Sequence, residues 1–128
     1  MTPDLTYLVW SAILCLVLAV VPVLGALGLV GLPKLAGNRD DMPAIEGWTG
    51  RAMRAHRNLL ENLILFAILV LVAHVTKRAD ATTALGAMIF FWARVVHAVV
   101  YIAGLPWVRT AAWGISVAGL LMIASRLF

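Results

Sequence analysis

Residues 51–75 read RAMRAHRNLLENLILFAILVLVAHV. The first half carries Arg51, Arg54, Arg57, Asn58 and Glu61, and the second, from Leu63 to Val75, is almost unbroken apolar sequence. Ionised groups are costly in a bilayer, so charge that runs into a membrane-length hydrophobic segment needs a reason and marks a functional site by default. With Arg51 set to zero and about 100° per residue, Arg54 falls at about 300°, Asn58 at about 340° and Glu61 at about 280°. These four form one polar stripe. Arg57 flanks it at about 240°, while His56, at about 140°, points away and reads as a headgroup-level or packing residue.

The composition sets the solvent. Of 128 residues, 63% are hydrophobic and 12% charged, with a mean hydropathy of +0.99. A soluble domain has about 45–50% apolar and 25% charged residues. The chain therefore reads as an all-α integral membrane protein, a four-helix bundle in a single domain over residues 1–128. Each span needs roughly 20 apolar residues. The expected helices cover about 5–32, 50–75, 81–103 and 107–127. The N-terminus lacks a basic n-region and has Asp4 there, so it reads as a retained first helix rather than a signal peptide. Cys15 is the single cysteine. It gives neither a disulfide framework nor a zinc site and reads as a small buried hydrophobe. The net charge of +4 points to topology or an anionic ligand. No long basic run with interleaved aromatics suggests a nucleic-acid groove.

Between the spans, Pro22 offers a kink point in the first helix, and Gly25, Gly28 and Gly31 allow close helix approach. Lys34 to Gly50 reads as the longest connection, with Thr49 as the expected cap of the second helix. Thr76 to Asp80 forms a short turn. Gly104-Leu105-Pro106 breaks the third helix from the fourth, on which Ala111, Gly114 and Ala118 make a small-residue packing face. Lys77, Arg78 and Arg126 share one side of the membrane; Lys34, Arg39, Arg51, Arg54, Arg57 and Arg109 share the other. The more basic side is expected to be cytoplasmic, with both termini outside.

The third helix has a second stripe. Arg94, His97 and Tyr101 stand at i, i+3 and i+7 and share a face. Glu61 and Arg94 each lie about ten residues, or roughly 15 Å, from the basic membrane side, so an Arg94–Glu61 pair is expected. Arg109 opens the fourth helix on that side. On one reading the arginines snorkel and Arg94–Glu61 is a buried structural pair. On the other, the facing stripes bind a ligand with several anionic groups and one cationic group, since arginines clamp carboxylates bidentately and a glutamate accepts from an amine. The sequence has no Gly-rich phosphate loop, HExxH, GxSxG or clustered Cys/His set, and no metal is expected. His74 reads as interfacial.

RAHRNLLEN (Arg54–Asn62), ARVVHAVVY (Ala93–Tyr101) and Arg109, on a four-span layout with a long first loop, resemble the membrane-associated proteins in eicosanoid and glutathione metabolism, the MAPEG family. GNRDD (Gly37–Asp41) looks like the bacterial branch, which implies a bacterial inner membrane. The resemblance implies a homotrimer that binds glutathione, as co-substrate, between neighbouring subunits and opens to the cytoplasm. Arg54, Asn58 and Glu61 would bind the peptide, beside Arg51 at the head of their stripe. Arg57, Arg94, His97 and Tyr101 would complete the pocket. Arg109 would stabilise the glutathione thiolate, the competent nucleophile, for transfer to lipophilic electrophiles or for reduction of lipid hydroperoxides. Thr110 stands where the prostaglandin-synthase branch has serine, Trp113 where a tyrosine is expected, and Tyr101 to Arg109 is one residue shorter. Two alternatives to an enzyme stay open: a non-catalytic protein that binds an anionic lipid or amphiphile in the same basic cleft, and a purely structural assembly protein.

Overall fold

The computed structural model describes residues 1–128 and contains helices and connections without a strand. The helices are α1 (Pro3–Val30), α2 (Leu32–Ala36), α3 (Gly47–Val75), α4 (Ala81–Ala103) and α5 (Pro106–Ala124). All but α2 are long and apolar enough to cross a membrane. Helix is the form that satisfies every backbone polar group of a lipid-exposed span within its own segment. α1 packs on α3 and α4, and α4 lies between α3 and α5. Phe66 of α3 and Phe90 of α4 stack with ring centroids 4.1 Å apart, in a core that also holds Leu59, Val70, Leu120 and Ile123. Cys15 is buried at the edge of that core as a free thiol.

Four local expectations are corrected. α1 stops at Val30 because Gly31 takes φ +83°, a conformation open to glycine at little cost. Pro33 then stands within the first two positions of α2, where its missing N–H costs nothing, so the expected loop begins as a short helix. α3 starts at Gly47 with Glu46 as its N-cap, and Thr49 is not the cap. Thr49 is instead buried in the first turn, against α1. A Cβ on Gly25 would lie 2.6 Å from Thr49 Oγ1 and 2.7 Å from Trp48, whereas Gly28 has no neighbour within 4 Å. Of the expected glycine series, Gly25 makes the close approach.

The small-residue face of α5 is also displaced. Ala111, Gly114 and Ala118 are exposed, while Ala112, Ser116 and Gly119 are buried. The sequences differ by about one residue, or 100° of rotation, and Gly86 of α4 decides between them. A Cβ on Gly119 would be 2.6 Å from the Gly86 carbonyl oxygen, and a Cβ on Gly86 2.7 Å from that of Gly119. The two glycines let α4 and α5 cross at backbone contact, as small residues do where helices associate in lipid.

The end of the bundle carrying both termini is closed by side chains. Asp80 caps α4, accepting from the backbone N–H groups of Thr82 (2.9 Å) and Thr83 (3.0 Å), while Thr83 Oγ1 accepts from the Asp80 N–H at 2.8 Å. Arg126 Nε donates to Asp80 at 2.7 Å, Arg78 donates to the Leu127 carbonyl at 2.9 Å, and buried Asp4 accepts from Thr83 Oγ1 at 3.3 Å.

Candidate functional site

At the opposite, basic end the polar stripes of α3 and α4 meet. The buried face of α3 runs through Ala52, Ala55, Leu59, Phe66, Val70 and Ala73, centred at about 60° on the scale used above. Asn58 borders that face and Glu61, at about 280°, lies far from it. This explains the principal correction at the site. Arg94 does not pair with Glu61. Its Nη2 donates to Asn58 Oδ1 at 2.6 Å, Glu61 is exposed, and Arg126–Asp80 is the chain's one ion pair. Arg94 points into the bundle and Glu61 away from it. Asn62, one turn beyond Asn58, donates to the Asn58 carbonyl at 2.8 Å and lies 3.4 Å from its Oδ1. Arg94 is 1% exposed, and its Nε and Nη1 have no hydrogen-bond partner.

His97, one turn along α4, is also buried. Its ring meets Tyr101 edge-on at 5.5 Å, and the Arg109 guanidinium carbon sits 4.5 Å above the Tyr101 ring centroid. Two adjoining hollows result. Asn58, His97, Tyr101, Arg109, Thr110 and Trp113 line one of about 220 Å³. Arg54, Arg57, Asn58, Glu61 and Tyr101 line the other, of about 230 Å³. Asn58 and Tyr101 are common to both, so a cation on α5 and the mixed charges of α3 stand on either side of a shared wall.

The MAPEG family model matches residues 5–128, essentially the whole chain. The chain belongs to the MAPEG family. No curated protein and no solved structure matches it.

Of the residues expected to form the site in this MAPEG chain, Arg54, Arg57, Asn58, Glu61, His97, Tyr101 and Arg109 line the two hollows. Arg94 stands behind them, holding Asn58. Arg51 lines neither: its Nε donates to the Ile102 carbonyl at 2.8 Å and its side chain covers Gly104, which turns the chain at φ +85°. Arg51 thus ties the start of α3 to the α4–α5 turn. His56 lies on the other side of α3, in a groove with α1. Asn62 was missed. Its signal was available, since it stands at i+4 from Asn58 at about 20°, towards the buried face. No group of metal-ligating side chains is assembled.

Proposed function

We propose that the chain is a membrane-embedded glutathione-binding protein, acting as a glutathione transferase or peroxidase on lipophilic electrophiles and assembled as a homotrimer. The observation that carries this reading is the pair of hollows sharing Asn58 and Tyr101, one with Arg54, Arg57 and Glu61, the other with Arg109. Glutathione offers two carboxylates, one ammonium and one thiol. Arg54 and Arg57 present forked donors to the carboxylates, and Glu61, which has no cationic partner in its own chain, accepts from the ammonium. Across the shared wall, Arg109 faces the position left for sulfur.

Arg109 stabilises the thiolate by its charge, lowering the fraction of neutral thiol at a given pH; the proton leaves to water. Sulfur then forms a bond to the electrophilic carbon while the leaving group departs with its bonding pair. With a hydroperoxide, the thiolate takes the terminal oxygen to give the sulfenic acid, the O–O bond breaks and the alkoxide leaves with its bonding pair, taking a proton from water to become the alcohol; a second glutathione thiol then displaces water from the sulfenic acid to form the disulfide. The Tyr101 ring holds the guanidinium by its face. The exposed apolar surface of the spans admits lipophilic substrates from the bilayer. The arginine-rich end faces the cytoplasm by the distribution of basic residues.

The test is ultraviolet difference absorbance of glutathione added to the purified protein in detergent. A thiolate band is expected, and Arg109→Ala removes it and lowers turnover by about 10²-fold, the scale of losing one preorganised charge-stabilising donor. Absence of glutathione binding by the assembled protein overturns the proposal.

A further inference from the structure

Arg94 is the largest fully buried side chain of the protein, and it lies within a span. A charge there is costly. No ion pair offsets the cost, since its one partner is the neutral Asn58 Oδ1 at 2.6 Å. An apolar side chain of similar length would fill the same space without the charge. It could not hold the oxygen of an amide. The use of Arg94 therefore lies in what it does to Asn58.

A guanidinium donates and cannot accept, so the atom it meets at 2.6 Å is the amide oxygen of Asn58 and not its nitrogen. Asn62 points the same way. Its Nδ2, which donates to the Asn58 backbone carbonyl at 2.8 Å, lies 3.4 Å from the same Oδ1. Turning the Asn58 amide over would set its N–H groups against two donors, so the amide has one orientation. Asn58 Nδ2 then has no acceptor in the chain. Nor is it shut away: the buried side-chain atoms without a partner are Ser11 Oγ and Arg94 Nε and Nη1. It stands on the open side of a half-buried residue that borders both hollows.

The geometry points to Arg94 as a positioning residue: by holding Asn58 Oδ1 it turns the Asn58 amide N–H into the junction of the two hollows, where it donates to a peptide carbonyl oxygen of glutathione. This rests on the glutathione reading and adds which group stands at the shared wall. The hollow with Arg54, Arg57 and Glu61 suits the charged ends of the peptide, and the hollow with Arg109 suits sulfur. What joins those parts in glutathione is the peptide unit beside the thiol-bearing residue, and an amide carbonyl accepts. Arg94 itself does not reach the ligand and acts through Asn58. Lysine in its place would still offer only donors. Methionine, unbranched and adaptable, would fill the space and release the amide.

Calorimetric titration of the purified protein in detergent with S-methylglutathione, whose sulfur cannot ionise, tests it. Arg94→Met is expected to weaken binding about tenfold, the scale of one hydrogen bond, and to weaken glutathione by the same factor. Arg94→Lys is expected to stay close to the native affinity. A second measurement needs no change at Arg94 and decides the matter should Arg94→Met fail to fold. With nitrogen-15 confined to asparagine, the side-chain N–H signals come from Asn38, Asn58 and Asn62. The pair that is absent from Asn58→Ser should move downfield when S-methylglutathione is added to the native protein. Unchanged affinity in Arg94→Met, a loss confined to glutathione, an equal loss in Arg94→Lys, or an Asn58 signal unmoved by bound ligand overturns the proposal and leaves the glutathione reading standing. Failure of the native protein to bind either peptide overturns both.

Discussion

The two ends of the bundle treat charge in opposite ways. At the Asp80 end, the carboxylate has two backbone donors and Arg126, while Arg78 has the Leu127 carbonyl. At the Arg51 end, Arg54, Arg57, Glu61 and Arg109 have no ionic partner in the chain, and buried Arg94 has a single neutral one. The same residue types thus do different work. Where partners come from the chain itself, charge fastens helix ends; where they do not, charge is left for something outside the chain. Arg51 and Arg39 are exceptions at the basic end, since their bonds to the Ile102 and Leu35 carbonyls make them fasteners among free cations.

The contrast is broken most directly at Asn58. Asn58→Leu removes the one hydrogen bond of a buried guanidinium and is expected to cost about 2 kcal/mol, the range for hydrogen bonds to charged groups. Unfolding in detergent measures it. Adding Arg94→Leu should recover most of that loss, because an apolar replacement of a buried charged pair is often neutral. If Asn58→Leu alone is neutral, Arg94 has a counterpart elsewhere and the basic end is better satisfied than its own chain indicates.

The closed end has an equivalent in packing, at Gly119. Gly119→Ala places a methyl group against the Gly86 carbonyl, with an expected loss of about 1–2 kcal/mol by overpacking. Gly114→Ala, the same change where nothing lies within 4 Å, is expected to stabilise by up to about 1 kcal/mol through helix propensity. Equal effects at the two positions would show that the α4–α5 crossing is not as close as 2.6 Å implies.

A smaller effect separates the two roles of Tyr101. Tyr101→Leu removes the ring beneath Arg109 and is expected to reduce the glutathione thiolate signal several-fold, from about 1 kcal/mol of cation–π attraction. Tyr101→Phe keeps the ring and should retain most of the signal. If Phe behaves like Leu, the hydroxyl rather than the ring does the work, and Arg109 is not positioned by stacking.

Much of this was legible in the sequence, for definable reasons. Membrane-length apolar runs and Gly104-Leu105-Pro106 specify four spans because helix is the form a lipid-exposed segment can take. Helical angles brought Arg54, Asn58 and Glu61 onto one stripe because periodicity is a property of a single helix. What failed depended on a second helix. Asn58, not Glu61, meets Arg94 because the rotation of α3 about its axis is set by Phe66 and Phe90. Ala112, Ser116 and Gly119 pack where Ala111, Gly114 and Ala118 were expected because Gly86 faces Gly119. Spacing gives the members of a stripe; which stripe turns inward is decided by the partner.

The smallest expected effect returns to the closed end and depends on pH. The backbone N–H of Thr83, and then the bond from Arg126, hold the Asp80 carboxyl below its usual range. A carboxyl whose folded value lies below its unfolded value of about 3.9 stabilises the fold in full above that pH. The contribution is lost as pH falls through the lower, folded value. Thermal unfolding in detergent should therefore show the native chain above Asp80→Asn near neutral pH, with the two curves converging in acid. Arg126→Gln should narrow the gap slightly, since an exposed ion pair contributes little while the Thr82 and Thr83 N–H bonds remain. A gap that persists unchanged into strong acid would mean that Asp80 acts through its shape as a cap rather than through its charge, and the closed end would then owe its stability to backbone hydrogen bonding alone.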